Sequence, residues 1–469
     1  MQTSLERELK LQPPEGFVLP PLDGDPLDTR LFTSTYHDTQ TRSLARCGIT
    51  LRRRVEHGLS NWQLKLPREE GRAEIEAPGA PAGPPPELRR LLAAHLRHGD
   101  LEPVATLRTR RSGVRVGGTS HPVADVTVDA VDVLDGMKSL GGFVELEIEL
   151  VDGELDDLEK LGRILRKAGA KRSDGRAKVM RVLRVPDDEP PGSGATTLER
   201  IRHLLEAQLR ELLRNDPGLR LGDEPEDLHR FRVATRRTRA IVRATHQLLD
   251  DALAPLAAEL KWLAGVLGPV RDYDVLLASL RRQVRALGPD EGAGEAIVAV
   301  LEDERAGLYD ELLAALEDDR YFALLDTFEA QVASLPDLDS PGLQPLAAKQ
   351  LRKLARAARR LPAEPRDEEL HELRIRAKRA RYSAELAAVG GTSSKLSRYI
   401  DELKTLQDVV GEHQDAVVAE AHVRRVGTGA NSLAAGRLIE RECEIRRERR
   451  RAYPAAVDAV VDSGRKALR

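Results

Sequence analysis

Glu6, Glu8 and Lys10 alternate along the run Leu5-Glu6-Arg7-Glu8-Leu9-Lys10-Leu11. With a period of two they share one face of a strand, Leu5, Leu9 and Leu11 take the other, and Arg7 is the exception. Glu145, Glu147 and Glu149 repeat the pattern against Val144, Leu146, Ile148 and Leu150. Asp125, Thr127 and Asp129 share a face opposite Val126 and Val128. Carboxylates grouped this way are hard oxygen ligands for Mg²⁺ or Mn²⁺, and Glu6, Glu8, Asp129, Glu145 and Glu147 form the candidate metal set. Cations group separately. Arg52 and Arg54 alternate with Leu51 and Val55, Lys65 stands opposite Leu64 and Leu66, and Arg108 and Arg110 share a face with Thr106. Their guanidinium forks and amines suit a polyanion such as a triphosphate, with one metal bridging phosphoryl oxygens and a second activating water for in-line attack. No GxxxxGK[ST] loop is present, which excludes a P-loop nucleotidase, and no serine or cysteine nucleophile motif stands out.

Strands must position these groups. Residues 1–185 read mainly as strands, with a basic-acidic-acidic face in Arg72-Ala73-Glu74-Ile75-Glu76, a Pro/Gly loop over 77–86 and a short helix over 87–98. Strands with an apolar outer face and a charged inner face predict a closed barrel with a polar lumen, its outside covered by helices or by the rest of the chain. A Pro/Gly/acid-rich linker follows at 186–197, and Thr197 can cap the helix after it.

From residue 198 the aliphatic spacing becomes helical. His229, Arg232, Arg236, Arg239 and Arg243 fall within about 80° of one another on a helix, with Phe231, Ala234, Ile241, Val242 and Leu249 on the other side. His371, Arg374, Lys378 and Arg381 repeat the stripe 142 residues after His229 (371 − 229), and the Gly268–Asp272 segment has its echo in Gly411–Asp415. The pattern predicts a duplicated, pseudo-symmetric helical bundle, with repeats near 198–335 and 345–465, whose two stripes face a shared surface. Six arginines and no acid lie between His229 and His246. Like charges at this spacing repel, so a polyanion is the expected counter-charge. His-x-x-Arg without accompanying cysteines or carboxylates is a poor metal site.

Composition sets the bounds. The chain has 469 residues, 74 basic and 77 acidic, a net charge of −3, so local segregation of sign carries the information. Cys47 and Cys443 exclude a disulfide scaffold and fit a reducing compartment. There is no basic-then-apolar leader and no apolar run near the ~20 residues of a membrane span, so a cytoplasmic location is expected.

Residues 1–185 resemble the CYTH or triphosphate tunnel metalloenzyme family through Glu6-x-Glu8-x-Lys10, Leu51-Arg52-x-Arg54, Lys65, Arg72-x-Glu74-x-Glu76, Asp129, Glu145-x-Glu147 and Lys178. The resemblance implies an eight-stranded antiparallel tunnel, a divalent metal, and hydrolysis or cyclisation at a triphosphate, with Lys178 as a phosphate ligand. The chain departs from the family at Ala177, where a serine is expected before the lysine. Residues 198–465 resemble the CHAD family through both His-x-x-Arg and both Gly-x-x-x-Asp motifs, which implies binding of inorganic polyphosphate and association with polyphosphate granules. The expectation is an α+β multidomain protein: a metal-dependent triphosphatase, catalytic through Glu6, Glu8, Lys10, Glu145 and Glu147, joined to a polyphosphate-binding domain over 198–469. The alternatives are a polyphosphate-binding protein without turnover, an adenylate cyclase or an organic triphosphatase. Aromatics make up only 3% of the chain and none interleaves with the His229 stripe, which speaks against nucleic acid.

Overall fold

The computed structural model describes every residue except 184, 186–188, 193, 247, 250, 337–342, 390 and 469, so part of the linker expected at 186–197 lies outside the described residues. The chain forms two compact units. One is Met1–Asp188 with Leu213–Asp223, the other Glu189–Leu212 with Glu224–Arg469.

The first unit is one antiparallel sheet of ten strands: β1 (Gln2–Glu6), β2 (Glu8–Gln12), β3 (Gly24–Asp38), β4 (Thr50–Glu56), β5 (Leu59–Arg68), β6 (Gly71–Pro78), β7 (Glu102–Val116), β8 (Ala124–Asp135), β9 (Lys138–Leu150) and β10 (Lys171–Arg172). The order is β1-β6-β5-β4-β3-β7-β8-β9-β2-β10, an open ladder where eight closed strands were expected. The difference arises at Arg7, where the N-terminal strand divides. β1 pairs with β6, and β2 crosses to pair with β9. The Arg7 carbonyl accepts from the Leu150 amide at 3.0 Å, and the two-residue β10 adds to β2. Gly71, at φ 134°, allows β6 to approach this break, since a Cβ there would lie 2.2 Å from the Glu6 carbonyl oxygen. Four short helices, α1 (Ser43–Arg46), α2 (Pro86–Leu91), α3 (Ala93–Leu96) and α4 (Leu155–Lys167), accompany the sheet. Leu158, Leu161 and Leu165 of α4 pack on Leu11, Val126, Leu146 and Ile148, so the apolar face of β2, β8 and β9 is covered as the alternation requires.

The second unit is helical: α5 (Thr197–Leu221, whose last turns belong to the first unit), α6 (Pro225–Thr245), α7 (Ala254–Val284), α8 (Glu291–Glu317), α9 (Asp319–Ala333), α10 (Gln344–Ala358), α11 (Asp367–Ala388), α12 (Ser394–Val426) and α13 (Ser432–Ala467). One core joins α10–α13 around Leu373, Tyr399, Leu403 and Val460. Another joins α7, α8, α12 and α13 around Leu280, Leu301, Val423 and Leu438. α6 packs against both α7 and α11, which brings the two arginine-bearing helices together. Among the described residues no helix is long and apolar enough to cross a membrane.

Candidate functional site

Strand register assembles the first cluster. β2 and β9 set Lys10 opposite Glu147 and Glu8 opposite Glu149. β8 sets Asp129 opposite Glu145, and β7 sets Arg111 opposite Asp129. β5 sets Lys65 opposite Glu74 and Gln63 opposite Arg52. These faces line a cavity of about 310 Å³ whose wall carries eight cations, among them Arg30, Arg52, Arg54, Lys65, Arg72 and Arg111, and seven carboxylates, among them Glu6, Glu8, Glu74, Glu76, Glu147 and Glu149.

Opposite charges touch throughout. Lys10 Nζ donates to Glu147 and lies 3.2 Å from Glu8 and 3.4 Å from Glu145. Lys178 Nζ donates to Glu147 and lies 3.0 Å from Asp129 and 3.1 Å from Glu145. Arg111 donates twice to Asp129, at 2.8 and 2.7 Å, and once to Glu147 at 2.5 Å. Lys65 donates to Glu6 at 2.5 Å. Burial alone would raise the Glu147 carboxyl, but Lys10, Lys178 and Arg111 outweigh it and hold it well below the ordinary range. Burial likewise opposes the charge of Lys10, and Glu147, Glu8 and Glu145 override it, so the amine is held above its usual value. At Glu149 the balance is reversed, since Lys65 and Arg111 are outweighed. Burial, with Glu6 nearby, pushes it up to about 7. Arg54 stacks 3.7 Å over the Phe32 ring, and burial followed by repulsion from Arg52 brings its guanidinium down to about 10. Arg54 also donates to Glu56 at 2.8 Å, which opposes that shift.

Glu6, Glu8, Lys10, Arg52, Arg54, Lys65, Glu147 and Lys178 all line the cavity. Glu145 and Asp129 are fully buried behind the wall, where they hold Lys178 and Arg111. Arg108 and Arg110 do not belong to it. They lie on the other face of β7, and Arg111, with Thr109 and Arg115, takes the inner face. Three arginines in four residues made the parity of β7 ambiguous. The available signal was spacing: Arg111 and Arg115 are four apart, as are Asp125 and Asp129 on β8, and both pairs form bidentate bonds. Arg30 and Tyr36 also line the cavity and were not anticipated.

The carboxylates are hard oxygen donors of the kind a divalent cation takes, and here cations of the chain hold them: Lys65 pairs with Glu6, Lys10 with Glu8, and Lys10, Lys178 and Arg111 with Glu147. Glu145 Oε1 and Glu74 Oε1 are buried without a hydrogen-bond partner, with Arg181 at 3.6 Å and Lys65 at 3.4 Å.

In the second unit, α6 and α11 bring cationic side chains to one cavity of about 550 Å³, walled by Arg236, Arg239, Arg243, Lys378, Arg379 and Tyr382. Burial, then repulsion from Arg374, Arg236 and Arg232, brings Lys378 down to about 8. Burial and repulsion also lower Arg236, with Arg381 and Arg232 among the neighbouring charges, so these members of both stripes form one electrostatic cluster. Buried Nε atoms of Arg236 and Arg374 lack hydrogen-bond partners among the described residues, and Arg381 Nε lies 3.4 Å from Glu385. Arg232 pairs with Asp272 at 2.9 Å and Arg374 with Asp415 at 3.5 Å, the same pairing twice. The histidines differ. His371 is exposed and lies 3.0 Å from Gln414 Oε1, whereas His229 is lowered by burial and then by Arg271, and neither lines the cavity.

Both clusters sit where known domains fall. A CYTH domain model matches residues 4–180 and a CHAD domain model residues 203–424. The chain is a CYTH domain followed by a CHAD domain. Two Mycobacterium tuberculosis proteins, Uncharacterized protein MT2285 (strain CDC 1551 / Oshkosh) and Uncharacterized protein Rv2226 (strain ATCC 25618 / H37Rv), are each 30% identical over 509 residues, spanning 99% of this chain and 98% of the relative. The chain belongs to the CYTH–CHAD family. Similar solved structures include PptA from Streptomyces chartreusis (22% identity, TM-score 0.44, 57% of this chain and 99% of that one). The CHAD domain from the plant Ricinus communis gives 24% identity, TM-score 0.47, and 60% and 97% coverage. HpAC1 from Hippeastrum, described as having a dominant triphosphatase activity, gives 21%, 0.28, and 38% and 96%.

Proposed function

We propose that the CYTH unit hydrolyses a terminal phosphoanhydride of inorganic triphosphate or short polyphosphate with Mg²⁺ or Mn²⁺, and that the CHAD unit binds polyphosphate chains. The observation that carries the first half is that one cavity is lined both by Glu6, Glu8 and Glu147 and by Arg52, Arg54 and Lys65. The carboxylates would hold the cation, with Glu145 offering an unsatisfied oxygen behind them. Such a cation neutralises phosphoryl oxygens and lowers the pKa of a bound water. Arg52, Arg54, Arg111 and Lys65 bind the phosphoryl oxygens through charge-assisted hydrogen bonds. Lys10 and Lys178 hold the acidic side in place, and Asp129 orients Arg111. In this reading β1 and β2 act as one strand across Arg7, so the sheet wraps the substrate as a tunnel of eight long strands.

The second half rests on the cationic cavity between α6 and α11, whose Arg236, Arg239, Arg243 and Arg379 have no ion-pair partner among the described residues. The repeated Arg232–Asp272 and Arg374–Asp415 pairs support a duplicated bundle with the stripes on a shared surface. The test is phosphate release from triphosphate, ATP and long-chain polyphosphate, each with Mg²⁺, with Mn²⁺ and with a chelator. Release from triphosphate that requires metal is expected; none with either metal refutes hydrolysis and leaves a binding protein.

A further inference from the structure

α10 and the residues after it contain six cations, Lys349, Arg352, Lys353, Arg356, Arg359 and Arg360, and no acid between Gln344 and Leu361. Apart from the α6 stripe, the longer helices of this chain mix acids with bases, so a second acid-free run needs a cause. Lys349, Lys353, Arg356 and Arg360 fall within about 60° of one another. Ala347, Leu351, Leu354 and Ala355 are buried on the opposite side, which leaves the stripe facing outward. Like charges three and four residues apart each cost a few tenths of a kcal/mol, and a face that only needed solvation would carry glutamates. Lys353, Arg356 and Arg360 have no ion-pair or hydrogen-bond partner among the described residues.

This face is the wall of a second cavity, about 600 Å³, between α10 and α11. Three carboxylates reach it. Glu372 lies 3.4 Å from Arg376 and Glu369 lies 3.6 Å from Arg366, so two are already answered, and Glu368 is the third. Arg379 lines both this cavity and the one between α6 and α11, and Gln350 of α10 lines the latter. The two cationic spaces are therefore adjacent and share a guanidinium.

We infer that the outer face of α10 is a second polyphosphate track, which takes the part of a long chain that leaves the α6–α11 cavity past Arg379. The inference rests on the proposed polyphosphate binding by the CHAD unit and deepens it: the first cavity holds a short chain, and α10 makes affinity depend on chain length. From Lys353 to Arg360 the stripe spans about 10 Å.

The test uses the full chain carrying Lys353→Gln, Arg356→Gln and Arg360→Gln together, with unfolding followed by circular dichroism. Binding of tripolyphosphate and of polyphosphate of about 100 units is measured at several salt concentrations around 0.15 M, where distant charges are screened beyond about 8 Å. Wild type should prefer the long chain. The triple variant should bind the long chain about tenfold more weakly, with the slope of log affinity against log salt reduced by about 2, at ~0.7 per lost phosphate contact on a single-stranded polyanion. Its tripolyphosphate affinity should stay within about twofold. Long-chain binding equal to wild type overturns the track, and so does an equal loss for both lengths. Single-stranded RNA of equal charge that competes as well as polyphosphate, and loses as much in the variant, overturns the assignment to phosphate chains. Wild type that binds neither length overturns the underlying reading, an outcome visible before any variant is made.

Discussion

Replacing Glu147 by glutamine tests how the CYTH cavity is held together. Glu147 accepts from Lys10, from Lys178 and, at 2.5 Å, from Arg111, with 5% of its surface exposed. Glutamine keeps the shape and one acceptor but removes the charge that three buried cations share. None of the three is stranded. Lys10 keeps Glu8 at 3.2 Å, Lys178 keeps Asp129 at 3.0 Å, and Arg111 keeps both bonds to Asp129. Breaking a buried pair outright costs about 3–5 kcal/mol, so a shared loss belongs at the lower end, about 3 kcal/mol. For a unit of this size that is a fall in melting temperature of about 6–12 °C. Phosphate release should fall far more, by at least about a thousandfold, or about 4 kcal/mol of barrier, because the proposed metal loses a charged ligand at the same time. Calorimetry in chelator reads the first quantity, and metal-dependent phosphate release at a temperature where both forms are folded reads the second. Polyphosphate binding by the CHAD unit should not change. A variant that melts and turns over like the parent would refute the role given to Glu147, and loss of polyphosphate binding with the activity would refute two independent sites.

The β7 assignment makes its own prediction: Arg111→Ala should lower triphosphate turnover at least about tenfold, or about 1.4 kcal/mol, while Arg108→Ala and Arg110→Ala stay within about twofold in the same assay. Arg236→Gln with Lys378→Gln should weaken polyphosphate binding more than about tenfold, read by anisotropy, and leave phosphate release intact. Lys378 also sets a pH dependence. Burial and its arginine neighbours hold it near 8, so it is charged below that pH and neutral above it. Polyphosphate affinity should therefore be level from pH 6 to 7 and decline as pH rises through 8 to 9, and Lys378→Arg should abolish the decline; an unchanged profile in that variant would show that another group titrates.

How far the sequence was legible follows from which patterns have one solution. Along β9, acids and aliphatics alternate without a break, so one parity buries Leu146 and Ile148 and turns Glu145, Glu147 and Glu149 inward. The same holds for Lys10 and Leu11 on β2. On β7 the run Arg108-Thr109-Arg110-Arg111 satisfies either parity when read alone, and only pairing with β8 decides it, a long-range fact that no single strand contains. The strand count failed for a related reason. Leu5–Leu11 reads as one strand because the charged row Glu6, Glu8, Lys10 runs past Arg7 unbroken, yet its hydrogen bonds pass from β6 to β9 at that residue. In the helical unit the His229 and His371 stripes were visible because their spacing is local, but whether each member enters the cavity depends on how α6 meets α11. That contact admits Arg236, Arg239, Arg243 and Lys378, adds Arg379, and leaves both histidines outside. Periodicity thus identifies the face a residue occupies; charge complementarity between partner elements identifies what that face meets. Around Lys378, and at Lys353, Arg356 and Arg360 of α10, cations outnumber the acids that reach them among the described residues, which is why the proposed ligand is placed there.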